Sequence, residues 1–165
     1  MKQTPRATLA VFAAAVCLPF AGHADDLPKL REGLWEVRGQ SVENPGDKRR
    51  EFTYRLCRNH AYDKAAYALL KNVQGCTTAI KKLGGGKFSS ASTCTVAGVT
   101  VVSNGLSIYA SDSTHSESRA TYTPAFNGKT EETVTQDQQY VGKCLVGMKP
   151  GDTISPDGLM RHHDG

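Results

Sequence analysis

Apolar and polar positions alternate along most of this chain, and that pattern predicts strands before anything else is known. Residues 33–41 read GLWEVRGQS, with Leu34 and Glu36 facing away from Trp35 and Val37. Asn44-Pro45-Gly46-Asp47 follows with turn chemistry. In RREFTYRLC, Phe52, Tyr54 and Leu56 point one way and Thr53, Arg55 and Cys57 the other, so the two segments form a hairpin with an apolar face. The period then changes. Asn59 is a capping residue, and Tyr62, Ala65, Ala66, Leu69 and Leu70 recur at helical spacing with Asp63 in the first turn and Lys71 in the last. A helix over 59–73 is predicted, stopped at Gly75.

Alternation resumes at Cys76. Gly84-Gly85-Gly86 marks the tip of a hairpin in which Cys76 and Cys94 stand equally far from Gly85. Further strands are predicted at 98–102, at 106–111 after an Asn104-Gly105 turn, at 119–126, and at 130–141 after Asn127-Gly128. Pattern is lost beyond Cys144, and 147–165, with Pro150, Gly151, Pro156 and Gly158, reads as a flexible tail. The fold class is mainly β (α+β): a single curled antiparallel sheet, consecutive in order, or a partial barrel, with one short helix covering one side.

The N-terminus changes the reading of compartment. Lys2 and Arg6 precede an uncharged apolar run over 7–21, shorter than the roughly 20 residues a membrane span needs. Gly22-His23-Ala24 then offers small residues to a signal peptidase, so 1–24 is expected to be a signal peptide cleaved after Ala24, leaving no transmembrane anchor. Cys17 goes with it, because Val16 occupies the position where a lipobox carries a small residue. The remainder divides into a disulfide-bonded domain over 25–146 and the tail. The expected location is the periplasm.

Of 20 Lys and Arg residues two lie in that leader and none of the 16 acids does, so the net charge of +4 halves on processing. A charge that small excludes an electrostatic case for nucleic acid.

Cys57, Cys76, Cys94 and Cys144 remain, an even number in a chain bound for an oxidising compartment. No C-x-x-C pair occurs, which argues against zinc. In a symmetric hairpin Cys76 would face Cys94 at a separation suited to a disulfide, leaving Cys57 for Cys144. A register slip of one residue would undo this, and three pairings exist for four cysteines.

Taken in order, GLWEV, a strand ending in YRLC, a helical insert, two further cysteines and a closing YVGKC resemble a family of small bacterial periplasmic proteins of unknown function. Its opening Gly-x-Trp-Glu matches Gly33, Trp35 and Glu36, and its closing Gly-x-Cys matches Gly142 and Cys144. The resemblance covers roughly 30–144 and implies an exported β domain, with no activity or ligand to carry over. Residues 99–118 look longer than the family's usual connection, and the tail is extra.

Candidate chemistry is sparse. His60 and Asp63 have the spacing of an acid–base pair on one helical turn, though capping and solvation are the commoner role there. Ser113-Thr114-His115-Ser116-Glu117 holds the residue types of a hydrolase without a G-x-S-x-G elbow, and reads as a polar loop. His162 and His163, with Asp164, are weak metal candidates on a tail. Gly84-Gly85-Gly86-Lys87 lacks the Ser or Thr and the helix of a phosphate loop. Lys48-Arg49-Arg50 and Lys81-Lys82 suit edge strands kept unpaired by charge. Trp35, with Phe52, Tyr54 and Tyr122 as neighbours, either lines a ligand pocket or anchors the core.

The function expected is that of a non-catalytic ligand- or partner-binding domain needing no cofactor, its partner an envelope small molecule, lipid or protein. The alternatives are a small hydrolase-like enzyme using a His/acid pair and a structural or stress-related envelope protein.

Overall fold

A computed structural model describes residues 28–162, so the expected leader and His163 lie outside the described residues. The chain forms β1 (Gly33–Asn44), β2 (Lys48–Arg58), α1 (His60–Lys71), β3 (Cys76–Gly84), β4 (Lys87–Val96), β5 (Val99–Tyr109), β6 (Ser113–Phe126), β7 (Lys129–Gly142), β8 (Thr153–Ile154) and β9 (Met160–Arg161). All the strands join one antiparallel sheet, in the order β3-β4-β5-β6-β7-β1-β2-β8-β9. The sheet has two separate edges and does not close.

The expected consecutive order holds from β3 to β7 and within the β1–β2 and β8–β9 hairpins, but not across the whole sheet. β1 then pairs along its length with β7, from Leu34↔Gly142 to Asn44↔Glu131. The connection through α1 therefore carries the chain from β2 past five other strands to the far edge. Asn59 caps the helix by accepting a hydrogen bond from the Tyr62 amide at 2.8 Å, and Asn72 ends it. Gly75 has φ +78°, and a β-carbon there would stand 2.9 Å from the Thr95 carbonyl oxygen.

Turn chemistry sets the meander. Asn127 and Gly128 both take positive φ, the twist that a two-residue hairpin loop requires. Ala97-Gly98 does the same between β4 and β5. The expected turn at Asn104-Gly105 does not form: both residues lie inside β5, paired with Ala91 and Ser90 of β4 and with Arg119 and Ser118 of β6. Ladders on both sides override the local turn preference, and a β-carbon on Gly105 would sit 2.8 Å from Ser90 Oγ. Residues 113–118 likewise belong to β6 rather than to a loop. Their alternation has no apolar half to reveal it.

The buried apolar side chains gather at one end: Leu30, Leu34, Trp35, Val37, Leu56 and Cys57, with Phe88 and Val99 separate from them on the meander. Trp35 has no exposed surface. Its indole N–H donates to the Arg31 carbonyl at 2.8 Å, its ring meets Tyr140 edge-on, and the Arg58 guanidinium lies 5.0 Å from the ring centroid. Disulfides join Cys57 to Cys144 and Cys76 to Cys94, the latter two being directly opposed on β3 and β4.

The segment after Cys144 corrects the expectation of a patternless tail. Cys57 donates its amide to the Asp152 carbonyl and accepts from the Gly151 amide, β8 pairs with β2, and β9 folds back on β8. The Asp152 carboxylate is buried, accepting from the Lys149 amide at 2.7 Å and from His162 Nδ1 at 2.8 Å. A two-residue strand has no periodicity to read, so nothing in the sequence announces it.

Candidate functional site

A cleft of about 740 Å³ opens between α1, β2 and the C-terminal hairpin. β2 supplies Tyr54 and Leu56, which alternation puts on one face of the sheet. The helix supplies Tyr62 and Leu69, seven residues apart and so on one stripe. Pro150, Gly151, Thr153, Ser155, Leu159 and Arg161 complete the wall. Leu69 is 71 % exposed and Leu159 55 %, and α1 buries no residue at all. The helix is fixed instead by polar ties, chiefly a salt bridge of 2.7 Å between Arg58 and Asp63. Burial pushes the Tyr54 phenol pKa up, reinforced by the neighbouring Tyr62, so this hydroxyl stays neutral and available as a donor at physiological pH.

Of the four aromatic residues selected from the sequence, Tyr54 lines this cleft. Phe52 stacks on Tyr54 with ring centroids 6.3 Å apart and lies across Gly39 of β1. Trp35 is enclosed in the core. Tyr122 stands at the opposite end of β6, stacked on Phe126, with its hydroxyl donating to Glu132 at 2.9 Å. Lys129 reaches the same carboxylate at 2.7 Å; this contact holds the Glu132 carboxyl below its usual range and raises the Lys129 ammonium.

The other sheet face carries a smaller depression of about 450 Å³ around His115. His115 presents Nδ1 to Asp137 at 2.7 Å and Nε2 to Glu117 at 3.2 Å. The Asp137 hydrogen bond, followed by that of Glu117, raises the imidazole pKa. A ring with a carboxylate on each nitrogen is stabilised as the imidazolium, and neither nitrogen is placed to take a proton from a nucleophile. His60 and Asp63 do not pair: His60 Nε2 meets the Leu30 carbonyl and Nδ1 faces Glu32, while Asp63 is held by Arg58. His162 is engaged with Asp152. Among the described residues, no group of three or more His, Cys, Asp and Glu is placed to hold a metal ion.

Leu56, Tyr62, Leu69, Pro150, Leu159 and Arg161 were not among the site candidates. The helical stripe of Tyr62 and Leu69 was readable as a stripe, but which surface it would meet was not. The residues from Pro150 onward gave no signal.

The framework around the cleft has a Gly-x-Trp-Glu strand at its centre and a Gly-x-Cys end locked to β2, and the family described as a protein of unknown function, DUF3617, matches residues 30–144. The chain belongs to the DUF3617 family. Comparison with curated proteins and with solved structures gives no match. The DUF3617 match ends at Cys144, so it contains β1 to β7 and α1, whereas Pro150, Leu159 and Arg161 of the cleft wall lie beyond it. Residues 99–118, which looked like a long connection, are β5 and the start of β6. No helix among the described residues is long and apolar enough to cross a membrane.

Proposed function

We propose that this DUF3617 protein is an exported, non-catalytic binding domain of the periplasm, and that its ligand is a small, largely apolar envelope molecule held between α1 and β2. The observation that carries this reading is the cleft: its volume of about 740 Å³ falls within the ordinary range for small-molecule sites, and its walls are mostly aromatic and aliphatic. The helix over it leaves Leu69 largely exposed, apolar area that a ligand would remove from water. Catalysis is disfavoured because the imidazoles of His115 and His60 are committed to carboxylates and a backbone carbonyl. Two disulfides fit an oxidising compartment, and the leader pattern over 1–24 supplies the route.

Isothermal titration of the processed protein against envelope lipids and glycans tests the reading, with Leu69→Asp as the partner experiment. Leu69 is exposed enough for that variant to fold. Binding that the substitution abolishes is the expected result. No binding at all, or binding indifferent to Leu69→Asp, overturns it.

A further inference from the structure

The cleft also has a charge pattern, and it narrows the ligand class. Arg161 is the one charged side chain among the described residues that line it. Other arginines of the molecule are spoken for: Arg58 by Asp63, Arg119 by Glu131, Arg38 by Glu36. Arg161 forms no ion pair with a described residue. Asp157, the acid nearest in sequence, feels its charge through space, but that carboxyl accepts from the Ser155 hydroxyl, which holds its pKa below the usual range.

Among the described residues no carboxylate lines the cleft, so a cationic ligand would find no counter-charge from them. An anionic group would find a guanidinium fork, whose geometry matches both carboxylate and phosphate. Apart from Thr153 and Ser155 the rest of the wall, from Tyr54 and Leu56 across to Tyr62, Leu69 and Leu159, offers apolar contact to the remainder of the molecule.

Resting on the binding reading above, we infer that the cleft takes a single-chain amphiphile with an anionic head, its acyl chain between α1 and β2 and its head on Arg161. The chain contacts come mainly from residues inside the DUF3617 match, and the head contact comes from β9, outside it. Head selection in this protein therefore belongs to the segment that follows the family domain. A carboxylate and a phosphate head share the chemistry that Arg161 recognises.

The test is displacement of the neutral dye Nile red from the processed protein by palmitate, by lysophosphatidylglycerol and by uncharged monopalmitoylglycerol, each below its micellar concentration. At least one anionic amphiphile is expected to compete about tenfold better than the uncharged one, a step comparable to one charge-assisted hydrogen bond. Arg161→Gln should erase that difference without weakening monopalmitoylglycerol, and Leu69→Asp should weaken all three. Competition by palmitate alone fixes the head as a carboxylate, and by the lysophospholipid alone as a phosphate; both results uphold the inference. Equal competition by charged and uncharged heads, or a preference that survives Arg161→Gln, overturns it. Glycan binding that depends on Leu69, with no amphiphile competing, overturns the amphiphile while the binding reading stands. Absence of binding by every ligand removes both.

Discussion

On one side of β7, strands β1 and β2 bury Leu34, Trp35, Val37, Leu56 and Cys57; on the other, β3 to β6 bury Phe88 and Val99 among their apolar side chains. The pairing register puts Ser90, Ser92, Ser103, Ser107, Ser116 and Ser118 on the same sheet face as Trp35. Ser92 and Ser103 hydrogen-bond to each other at 2.7 Å. The two wings are thus stabilised by different means. Around Trp35 the dominant contribution is apolar area removed from water; across the serines it is the backbone ladder, which needs no particular side chain. Each wing has one disulfide, and the difference between them offers the most direct way to perturb the molecule.

Replacing both Cys57 and Cys144 by serine should be the most damaging change, because the bridge closes a sequence separation of 87 and also fixes the end of β7 near β2. Chain entropy alone predicts a loss of roughly 4 to 5 kcal/mol, against about 3 kcal/mol for the Cys76–Cys94 pair. Urea unfolding of the two double variants measures both, and equal losses would show that the wings are one cooperative unit. Next comes Trp35→Ala, with an expected loss of about 3 to 5 kcal/mol read from the same transitions. Amide exchange should then accelerate in β1 and β2 before β4 and β5; uniform acceleration would break the distinction between wings.

A pair of glycines sharpens the comparison at smaller energies. A β-carbon on Gly39 would stand 2.4 Å from the Phe52 ring and 2.7 Å from the Thr135 carbonyl, so Gly39→Ala should cost about 1 to 3 kcal/mol. At Gly105 the nearest obstacle is the Ser90 hydroxyl, which can rotate away, and the gain in strand propensity offsets the remaining contact. Gly105→Ala should stay within about 0.5 kcal/mol of the parent in thermal melts. A larger loss would mean that the serine face is as tightly packed as the tryptophan end.

The smallest effect concerns pH. The His115 pKa is raised in the folded state, so the contribution of Asp137 and Glu117 is complete below the unfolded value near 6.5 and disappears as pH rises through the folded value. The pair is exposed, and His115→Gln should lower stability only slightly at pH 5 and not at pH 9. Melting curves at the two pH values check this, and a loss of equal size at both would assign His115 a packing role instead.

Much of the framework was legible. Asn127-Gly128, Gly84-Gly85-Gly86 and the Asn59 cap each determine local geometry through their own φ preferences or side-chain oxygen, and β1, β2 and α1 followed from period alone. Cys76 and Cys94 do oppose each other as expected, although the loop itself is not symmetric about Gly85: Gly84 pairs with Lys87, and a register shift between Lys82 and Gly84 restores the alignment. Gly105 and residues 113–118 misled because a strand with neighbours on both sides draws its stability from ladders that no local window contains. The candidate site was barely legible: Tyr54 was singled out, but its cleft exists only because β8 and β9 return to β2.

The amino-acid sequence by itself determined the β1–β2 hairpin, the α1 cap and the turns at Gly84-Gly85-Gly86 and Asn127-Gly128, since those choices depend on contacts only a few residues apart. Tertiary structure alone decided that β1 joins β7, that α1 packs without burying a side chain, and that Arg161 and Leu69 line one cleft. Those outcomes depend on which distant surfaces come together, and the free energy of that choice resides in the assembled surfaces rather than in any one segment.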